Sequence, residues 1–149
     1  GEALRELLLS KEGTAPSVTT ELLMVFAARA QHLHEVIEPA LRAGKWVLCD
    51  RFTAATYAYQ GYGRDFDLRK IEALEAFVQR GRHPDLTLLF DIDPQLGIAR
   101  AQQRAELDRF EEEELAFFEK VREGYLSRAE CHSRFKIIDA SRFVYALCG

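Results

Sequence analysis

The stretch WVLCDR at positions 46–51 determines the predicted fold, because a short apolar run ends there in a charged pair. Such a run predicts a buried strand, Trp46–Cys49, with Asp50 and Arg51 at its carboxyl end. Two further runs, Leu86–Phe90 and Phe135–Ile138, predict buried strands of the same kind. Because helical patterns separate these strands, the sequence predicts a single α/β domain over residues 1–149 with a parallel sheet. In such sheets, ligands bind beyond the carboxyl ends of the strands, where Asp50, Arg51 and Asp91 fall.

The helical segments carry conventional start and stop signals. A long pattern from about Val18 to Arg42 places Leu22, Phe26, Leu33 and Ile37 on one face, which predicts an amphipathic helix. Pro39 predicts a kink or a restart in it, and Gly44 its end. The other predicted helices are residues 3–9, Thr53–Tyr59, Asp67–Arg80 with Asp67 as N-cap, Pro94 to about Arg104 after the N-cap Asp93, and one ending near Arg128.

Composition excludes some classes of protein. Hydrophobic residues make up 48% of the chain and charged residues 30%, and the formal net charge is −4, which argues against a general nucleic-acid binder. No apolar run approaches 18 residues, so we expect no membrane helix, and we find no signal peptide. The cysteines Cys49, Cys131 and Cys148 have no metal-like spacing, which predicts free thiols in a reducing, cytoplasmic compartment.

Arg29 is the first residue that the helical pattern does not explain. It shares a face with Leu22, Phe26 and Leu33, where an unpaired charge is costly. It could extend to the surface or pair with Glu21 or Glu35, which would make it structural. Alternatively, its guanidinium lines a polar pocket beside Phe26, whose ring would stack on a base.

Three more groups of residues have both a functional and a structural interpretation. Asp50-Arg51 offers a phosphate-binding guanidinium beside a carboxylate that can hold Mg²⁺, or else a surface ion pair. The segment 57–64, at the end of the predicted Thr53–Tyr59 helix, mixes aromatic residues, an amide and glycines. It can recognise a base and a sugar, or simply end a helix, and the polar residues of this group are Thr56, Tyr59, Gln60 and Arg64. The third group consists of mobile arginines that can neutralise transferring phosphates or lie on a solvated helix, and its members are Arg100, Arg104 and Arg109.

Taken together, these stretches resemble the thymidylate kinase family. The resemblance runs from about residue 1 to 141 and is carried by motifs in a constant order, LLMVFAAR at 22–29, VLCDRF at 47–52, AYQG at 58–61, HPDLT at 83–87 and RAELDRFE at 104–111. It implies a P-loop NTPase-like three-layer fold and Mg²⁺-dependent transfer of the ATP γ-phosphoryl to dTMP. It also implies a lid at about residues 100–112 and a homodimer, for which the Leu22–Ile37 helix is a candidate interface.

The resemblance assigns roles to individual residues. Arg29 corresponds to the arginine that bonds the thymine carbonyl, and Phe26 lies near the position of the residue that stacks on the base. Arg51 corresponds to the arginine that grips the dTMP phosphate, and Asp50 to the acid near the metal. Thr56 corresponds to the position that faces the base N3 edge, and Gln60 lies nearby. Tyr59 corresponds to the tyrosine that crowds the sugar 2′ position, and Tyr125 resembles a tyrosine near the sugar. Arg100 and Arg104 resemble catalytic lid arginines.

The sequence departs from the family pattern in three places. The stacking phenylalanine usually stands four residues before the arginine, where this chain has Val25, and the tail Phe143–Gly149 does not resemble the family's closing helix. The family's first strand, its glycine-rich phosphate loop and its second strand are not present. The first of these strands would lie between the strands at Val47 and Leu88. We therefore expect residues before Gly1, and we expect this chain alone to be inactive and poorly stable.

Two alternatives to the kinase stay open on the sequence alone. One is a non-catalytic remnant that keeps the dTMP-binding face. The other is a related nucleoside or nucleotide kinase with the same architecture, which differs in the substrate that it phosphorylates.

Overall fold

The computed structural model describes residues 2–9, 15–103 and 113–142. The helices and strands in these ranges follow one another as α1 (Glu2–Leu9), α2 (Val18–His32), a π-helical turn (Leu33–Ile37), α3 (Glu38–Arg42), α4 (Thr53–Thr56), a π-helix (Tyr57–Gly63), α5 (Leu68–Gln79), β1 (Thr87–Asp91), α6 (Pro94–Gln102), α7 (Leu115–Cys131) and β2 (Phe135–Asp139). The alternation of helices and parallel strands confirms the predicted α/β class.

The long helix predicted from Val18 is present but changes its pitch. The Ser17 hydroxyl caps α2 by accepting a hydrogen bond from the Thr20 amide at 3.2 Å. A π-helical turn then leads into α3, with Pro39 in its first turn, so the proline restarts the helix. Gly44 follows α3 with a φ of +71°, as expected of a residue that ends a helix in the left-handed region.

Two clusters of buried side chains form the core. The apolar face of the long helix is buried as predicted, with Leu22 and Phe26 each 2% exposed and Leu33 and Ile37 each 6% exposed. Leu22 and Phe26 pack with Tyr57 and Ile71 in the first cluster. The second cluster joins α7 to the π-helix and contains Ala58, Phe117 and Val121.

Small residues let α7 approach the π-helix closely. A Cβ atom at Gly124 would lie 2.9 Å from the Ala58 Cα and 2.9 Å from the Tyr62 Cγ. A Cβ at Gly63 would lie 2.6 Å from the Phe117 ring on α7. Gly124 therefore cannot carry a side chain at this helix separation, because it faces backbone, whereas a side chain at Gly63 would require the Phe117 ring to shift.

The described sheet consists of two parallel strands, β1 and β2, paired from Thr87↔Phe135 to Asp91↔Asp139. These correspond to two of the three predicted strands. The prediction of a strand at Trp46–Cys49 was wrong for this structure, since residues 45–49 form no regular element and Trp46 and Leu48 are fully exposed. A strand exists only through its ladder, and no neighbouring strand lies beside these residues in the described part of the chain.

The predicted burial of both strands was also wrong in part. Leu88 and Phe90 on β1 are 48% and 62% exposed, and Ile137 on β2 is 53% exposed. Alternate β1 residues are more buried, as is Phe135 at the start of β2. One face of the described sheet therefore stays open, and apolar strand residues are buried on one side only.

Local signals elsewhere gave the predicted structure. The Asp67 carboxylate caps α5 by accepting from the Arg69 amide at 3.0 Å, and the Asp93 carboxylate caps α6 by accepting from the Gln95 amide at 2.9 Å. Cys49 and Cys131 are free thiols. A membrane-crossing helix would need a longer apolar stretch than any described helix offers.

Candidate active site

The backbone turns sharply at Arg51, between residues 45–49 and α4. Arg51 has a φ of +61°, in the left-handed region that a non-glycine residue adopts only at a cost. The Cys49 thiol donates to the Arg51 carbonyl at 3.4 Å across this turn. The exposed Arg51 side chain lies over the ring of Tyr59, with 5.1 Å between its Cζ and the ring centroid. Two residues that were assigned to the sugar and the phosphate are therefore in contact.

Arg29 points from α2 towards α4. Its Nη2 donates to Thr56 Oγ1 at 2.8 Å and to the Phe52 carbonyl at 3.4 Å. The guanidinium also lies over two aromatic rings, with its Cζ 4.8 Å from the centroid of Phe26 and 5.3 Å from that of Phe52. Arg29 thus bonds Thr56 and Phe52 and not the alternative partners Glu21 and Glu35. Glu21 pairs with Gln60 and Arg64, and Glu35 accepts from Gln31.

One donor of Arg29 remains open. Its Nη1 is buried and has no hydrogen-bond partner among the described residues. Burial lowers the pKa of the guanidinium to about 10, although Glu75 and Cys49 act in the opposite direction. A buried donor without a partner is costly, and a ligand carbonyl at this position would remove that cost.

Phe26 lies deeper than a stacking role requires. It is 2% exposed and belongs to the first core cluster, with the Arg29 guanidinium over its ring. Phe52 is only partly buried and also faces this guanidinium. The structure therefore places two aromatic rings at Arg29, and the assignment of Phe26 to stacking stays a prediction.

Gln60 is buried, and its side-chain amide is bound by a carboxylate on α2. Its Nε2 donates to Glu21 Oε1 at 2.6 Å, and Glu21 is only 1% exposed. The Nε of Arg64 lies 3.8 Å from the same Glu21 oxygen, and its Nη2 lies 2.6 Å from Glu113 Oε1. The predicted base-binding segment is therefore fixed to the start of α2 by a buried carboxylate.

Tyr59 stands at the centre of an aromatic group. Its ring makes edge contacts with Phe117 and Tyr125, at centroid separations of 5.9 Å and 6.4 Å. Burial, followed by the nearby Tyr59, raises the pKa of the Tyr125 hydroxyl. Because the Tyr59 ring contacts both Tyr125 and Arg51, the structure places Tyr125 close to the residues predicted for sugar and phosphate.

Asp50 is the residue available to a metal ion at this site. The described residues contain no group of three or more histidine, cysteine or acidic residues that could hold a metal by themselves. Mg²⁺ is normally held by one or two carboxylates together with substrate phosphates and water. Asp50 is exposed and adjoins Arg51, the arginine predicted to bind phosphate, which fits such an ion.

The predicted lid lies largely outside the described residues. Arg104 and Arg109 belong to that part of the chain. Arg100, near the end of α6, donates from Nη1 to the Ala140 carbonyl and from Nη2 to the Ser141 carbonyl, both at 2.7 Å. These contacts tie α6 to the segment after β2, and the catalytic role of Arg100 stays a prediction.

Asp91 has a partner at the end of β1. Its two carboxylate oxygens accept from Arg122 Nε and Nη2 at 2.7 and 2.8 Å. This fork-to-fork ion pair lowers the pKa of Asp91. Asp91 therefore joins β1 to α7 in the described structure.

Sequence reasoning missed two contributors to this site. Phe52 supplies both a carbonyl acceptor and a ring to Arg29. Glu21 binds Gln60 across 39 residues of sequence. A signal for Glu21 was available, because it is an acidic residue one position before the apolar face of α2.

Comparison with known proteins supports a single family. The family model described as thymidylate kinase matches residues 1–147. The thymidylate kinase of Teredinibacter turnerae is 57% identical over 142 residues, which cover 95% of this chain and 69% of that protein. The thymidylate kinase of Pseudomonas putida GB-1 is 54% identical over 147 residues, which cover 98% of this chain and 70% of that protein.

The fold agrees with these matches. The crystal structure of thymidylate kinase from Ehrlichia chaffeensis superposes with a TM-score of 0.72 at 30% identity, over 95% of this chain and 65% of that one. The chain thus spans just under two thirds of the solved chain and somewhat more of the two relatives. The predicted P-loop NTPase-like fold with a parallel sheet is confirmed by this similarity. The chain therefore belongs to the thymidylate kinase family, a family of phosphotransferases.

Proposed function

We propose that this chain supplies the dTMP-binding side of an enzyme that transfers the γ-phosphoryl group of ATP to dTMP. The observation that carries the proposal is the open Nη1 of Arg29. Arg29 is oriented by Thr56 and flanked by aromatic rings. A planar base with a carbonyl at its edge would satisfy this donor and would lie near Phe26 and the more accessible ring of Phe52.

The phosphate of dTMP would lie at Arg51. Its guanidinium is exposed and contacts Tyr59, so a nucleotide that spans the distance from Arg29 to Arg51 would pass its sugar beside that ring. Tyr59, supported by Tyr125, would then crowd the sugar 2′ position and favour deoxyribose. Phosphate recognition by an arginine fork is strong and directional.

Catalysis would consist of positioning and charge neutralisation. Arg51 would hold the accepting phosphate, and Arg100 and Arg104 would approach the transferring group from the lid. Asp50 would hold Mg²⁺ directly or through water. The ion, when bound, neutralises charge on the phosphates. No residue of the chain needs to form a covalent intermediate.

The same proposal includes a cytoplasmic homodimer. The face of the long helix that carries Leu22, Phe26, Leu33 and Ile37 is buried in the core of the chain. Leu23 and Val36, which lie outside this face, are 52% and 50% exposed. We expect a partner subunit to cover these two residues, which light scattering of the purified protein would test.

Calorimetric titration with dTMP tests the central claim. We expect binding that Arg51→Ala weakens by about tenfold to a hundredfold, because a charge-assisted hydrogen bond is worth about 1.5–3 kcal/mol. The matched control is Arg42→Ala at an exposed position on α3, which should leave binding unchanged.

Two results would count against this function. One is a folded wild-type protein that does not bind dTMP. The other is equal affinity for dTMP and thymidine, which would mean that the phosphate is not recognised and would favour a nucleoside kinase. Formation of dTDP from dTMP and ATP by the same preparation separates an active enzyme from a binding remnant.

A further inference from the structure

Glu21 is the most deeply buried acidic side chain among the described residues, and it contacts the predicted substrate site through Gln60. It is 1% exposed, at the first turn of α2. Its Oε1 accepts from Gln60 Nε2 at 2.6 Å, and the Arg64 Nε lies 3.8 Å from the same oxygen. A buried carboxylate is expensive unless it is paired, and these contacts provide the pairing.

This contact fixes which way the Gln60 amide faces. A carboxylate accepts hydrogen bonds and donates none, so only the NH₂ group of Gln60 can face Glu21. The carbonyl oxygen Oε1 of Gln60 is thereby turned to the other side. It accepts no hydrogen bond from the residues that the structure describes. The chemistry of Glu21 therefore turns the acceptor of Gln60 away from Glu21, and we expect that acceptor to face the site because Gln60 lies four residues beyond Thr56 on one continuous helical segment.

The site then offers one open donor and one open acceptor. The donor is Arg29 Nη1, and the acceptor is Gln60 Oε1. Thr56 accepts from Arg29 and lies four residues before Gln60 on the continuous α4–π-helix segment, so we expect the two groups to lie on one face of that segment. A pyrimidine-2,4-dione such as thymine carries the complementary edge, with a carbonyl acceptor at C4 and an N–H donor at N3. Cytosine carries the opposite pattern and would meet both groups with the wrong polarity.

We propose that Glu21 is a positioning residue that sets the preference for a pyrimidine-dione base over cytosine, by holding the amide of Gln60 in one orientation. This inference rests on the proposed function. If Glu21 did no more than stabilise the fold, its loss would weaken every nucleotide alike. If it orients Gln60, its loss changes the ratio of affinities, because an unpaired or wrongly paired base edge is what discriminates.

The test is the ratio of dTMP to dCMP dissociation constants, measured by calorimetry. We expect Glu21→Gln to reduce the wild-type preference for dTMP by about tenfold, because the amide introduced at position 21 both donates and accepts and lets Gln60 turn over. Glu35→Gln is the matched control, since it makes the same change at an exposed position one turn beyond α2. It should keep the wild-type ratio.

A reciprocal exchange keeps the test decisive if the single variant folds poorly. Glu21→Gln combined with Gln60→Glu places an acceptor-only group at position 60 and a donor below it, so the dTMP preference should return. Loss of that preference in the double variant would overturn the inference, as would equal weakening of both nucleotides in Glu21→Gln. A wild-type protein without any dTMP preference would overturn the proposed function, and this inference with it.

Discussion

Arg29 donates a 2.8 Å hydrogen bond to Thr56, a residue 27 positions further along the chain. The bond joins α2 to α4 and uses the Nη2 atom of the guanidinium. The Nη1 atom is left buried without a partner among the described residues. An arginine held from one side, with its pKa lowered to about 10 by burial, is a destabilised group that a ligand can stabilise.

Replacement of Arg29 should leave the free energy of unfolding nearly unchanged and weaken the binding of dTMP. In Arg29→Met, removal of a partly buried charge offsets the lost bonds to Thr56 and Phe52, so we expect unfolding free energy to change by less than about 1 kcal/mol. The dTMP affinity should fall by about tenfold to a hundredfold, because the base carbonyl loses its donor. Urea denaturation and calorimetry on the same preparations would measure the two effects.

Arg42→Met provides the comparison for this pair of measurements, since Arg42 is exposed at the end of α3. A strongly destabilised Arg29→Met protein with unchanged dTMP affinity would mean that Arg29 is a structural residue. The base-recognition role would then have to be abandoned.

Loss of the Tyr57 hydroxyl should lower the free energy of unfolding more than loss of the Tyr62 hydroxyl. Tyr57 donates to Glu75 Oε2 at 2.6 Å, and Glu75 is 8% exposed, whereas Tyr62 donates to Ser127 Oγ at 3.0 Å in a partly buried place. Tyr57→Phe leaves a buried carboxylate without this donor and should cost about 1–3 kcal/mol of unfolding free energy. Tyr62→Phe should cost about 1 kcal/mol or less.

Denaturant unfolding of the two single variants measures the difference. Equal losses for both tyrosines would show that the Glu75 contact has no special weight. The burial that raises the pKa of Tyr57, together with its hydrogen bond to Glu75, is consistent with a phenol that stays protonated as a donor.

Local chemistry made the helical part of the fold predictable. The caps at Asp67 and Asp93 and the helix end at Gly44 depend on residues within a few positions of each other. The apolar face of α2 depends only on helical periodicity. These signals are present in any short window of the sequence, so they give the bounds of the Val18–Arg42 helical segment, α5 and α6 to within two residues.

Contacts between distant residues explain what could not be predicted. A strand at Trp46–Cys49 needs a neighbouring ladder, which an apolar pattern cannot supply. The Glu21–Gln60 bond spans 39 residues, and the sequence offered Arg29 as an equally reasonable partner for Glu21. The site residues were identified by their type and by family resemblance, whereas their hydrogen-bond partners emerged from the fold.

Substitution by alanine should have opposite effects on stability at two helical glycines, Gly124, where α7 packs closely against the π-helix, and Gly97 on α6. Gly124→Ala would place a Cβ 2.9 Å from the Ala58 Cα, a backbone atom that cannot turn aside, and should cost about 1–3 kcal/mol despite better helix propensity. Gly97→Ala on α6 would meet only Ile92 Cγ2 at 3.5 Å, an ordinary contact. It should be neutral or stabilise by up to about 1 kcal/mol.

Thermal unfolding of both variants tests the packing argument. The expected order of melting temperature is Gly97→Ala at or above wild type, and Gly124→Ala below it. If Gly124→Ala melted with the wild type, α7 would have to lie further from Ala58 than it does in this structure.

The ion pair between Asp91 and Arg122 predicts how the stability of the protein depends on pH. The Arg122 hydrogen bonds hold the pKa of Asp91 below its ordinary value of 3.8, while desolvation and the nearby Asp139 oppose this. A carboxyl group whose pKa is lower in the folded state stabilises the protein at pH values above the unfolded pKa. That contribution disappears as the pH falls through the lower, folded pKa.

A double-mutant cycle with Asp91→Asn and Arg122→Gln isolates this contribution. Because Arg122 is 39% exposed and partly screened by water, we expect a coupling of only about 1 kcal/mol at pH 7. The coupling should be constant at pH values well above the unfolded pKa of Asp91 and should approach zero once the pH has fallen below its lowered, folded pKa, where Asp91 is protonated in both states. Urea denaturation at a series of pH values measures it. A coupling that persisted unchanged at the lowest pH would show that β1 and α7 are joined at this point by something other than the ion pair.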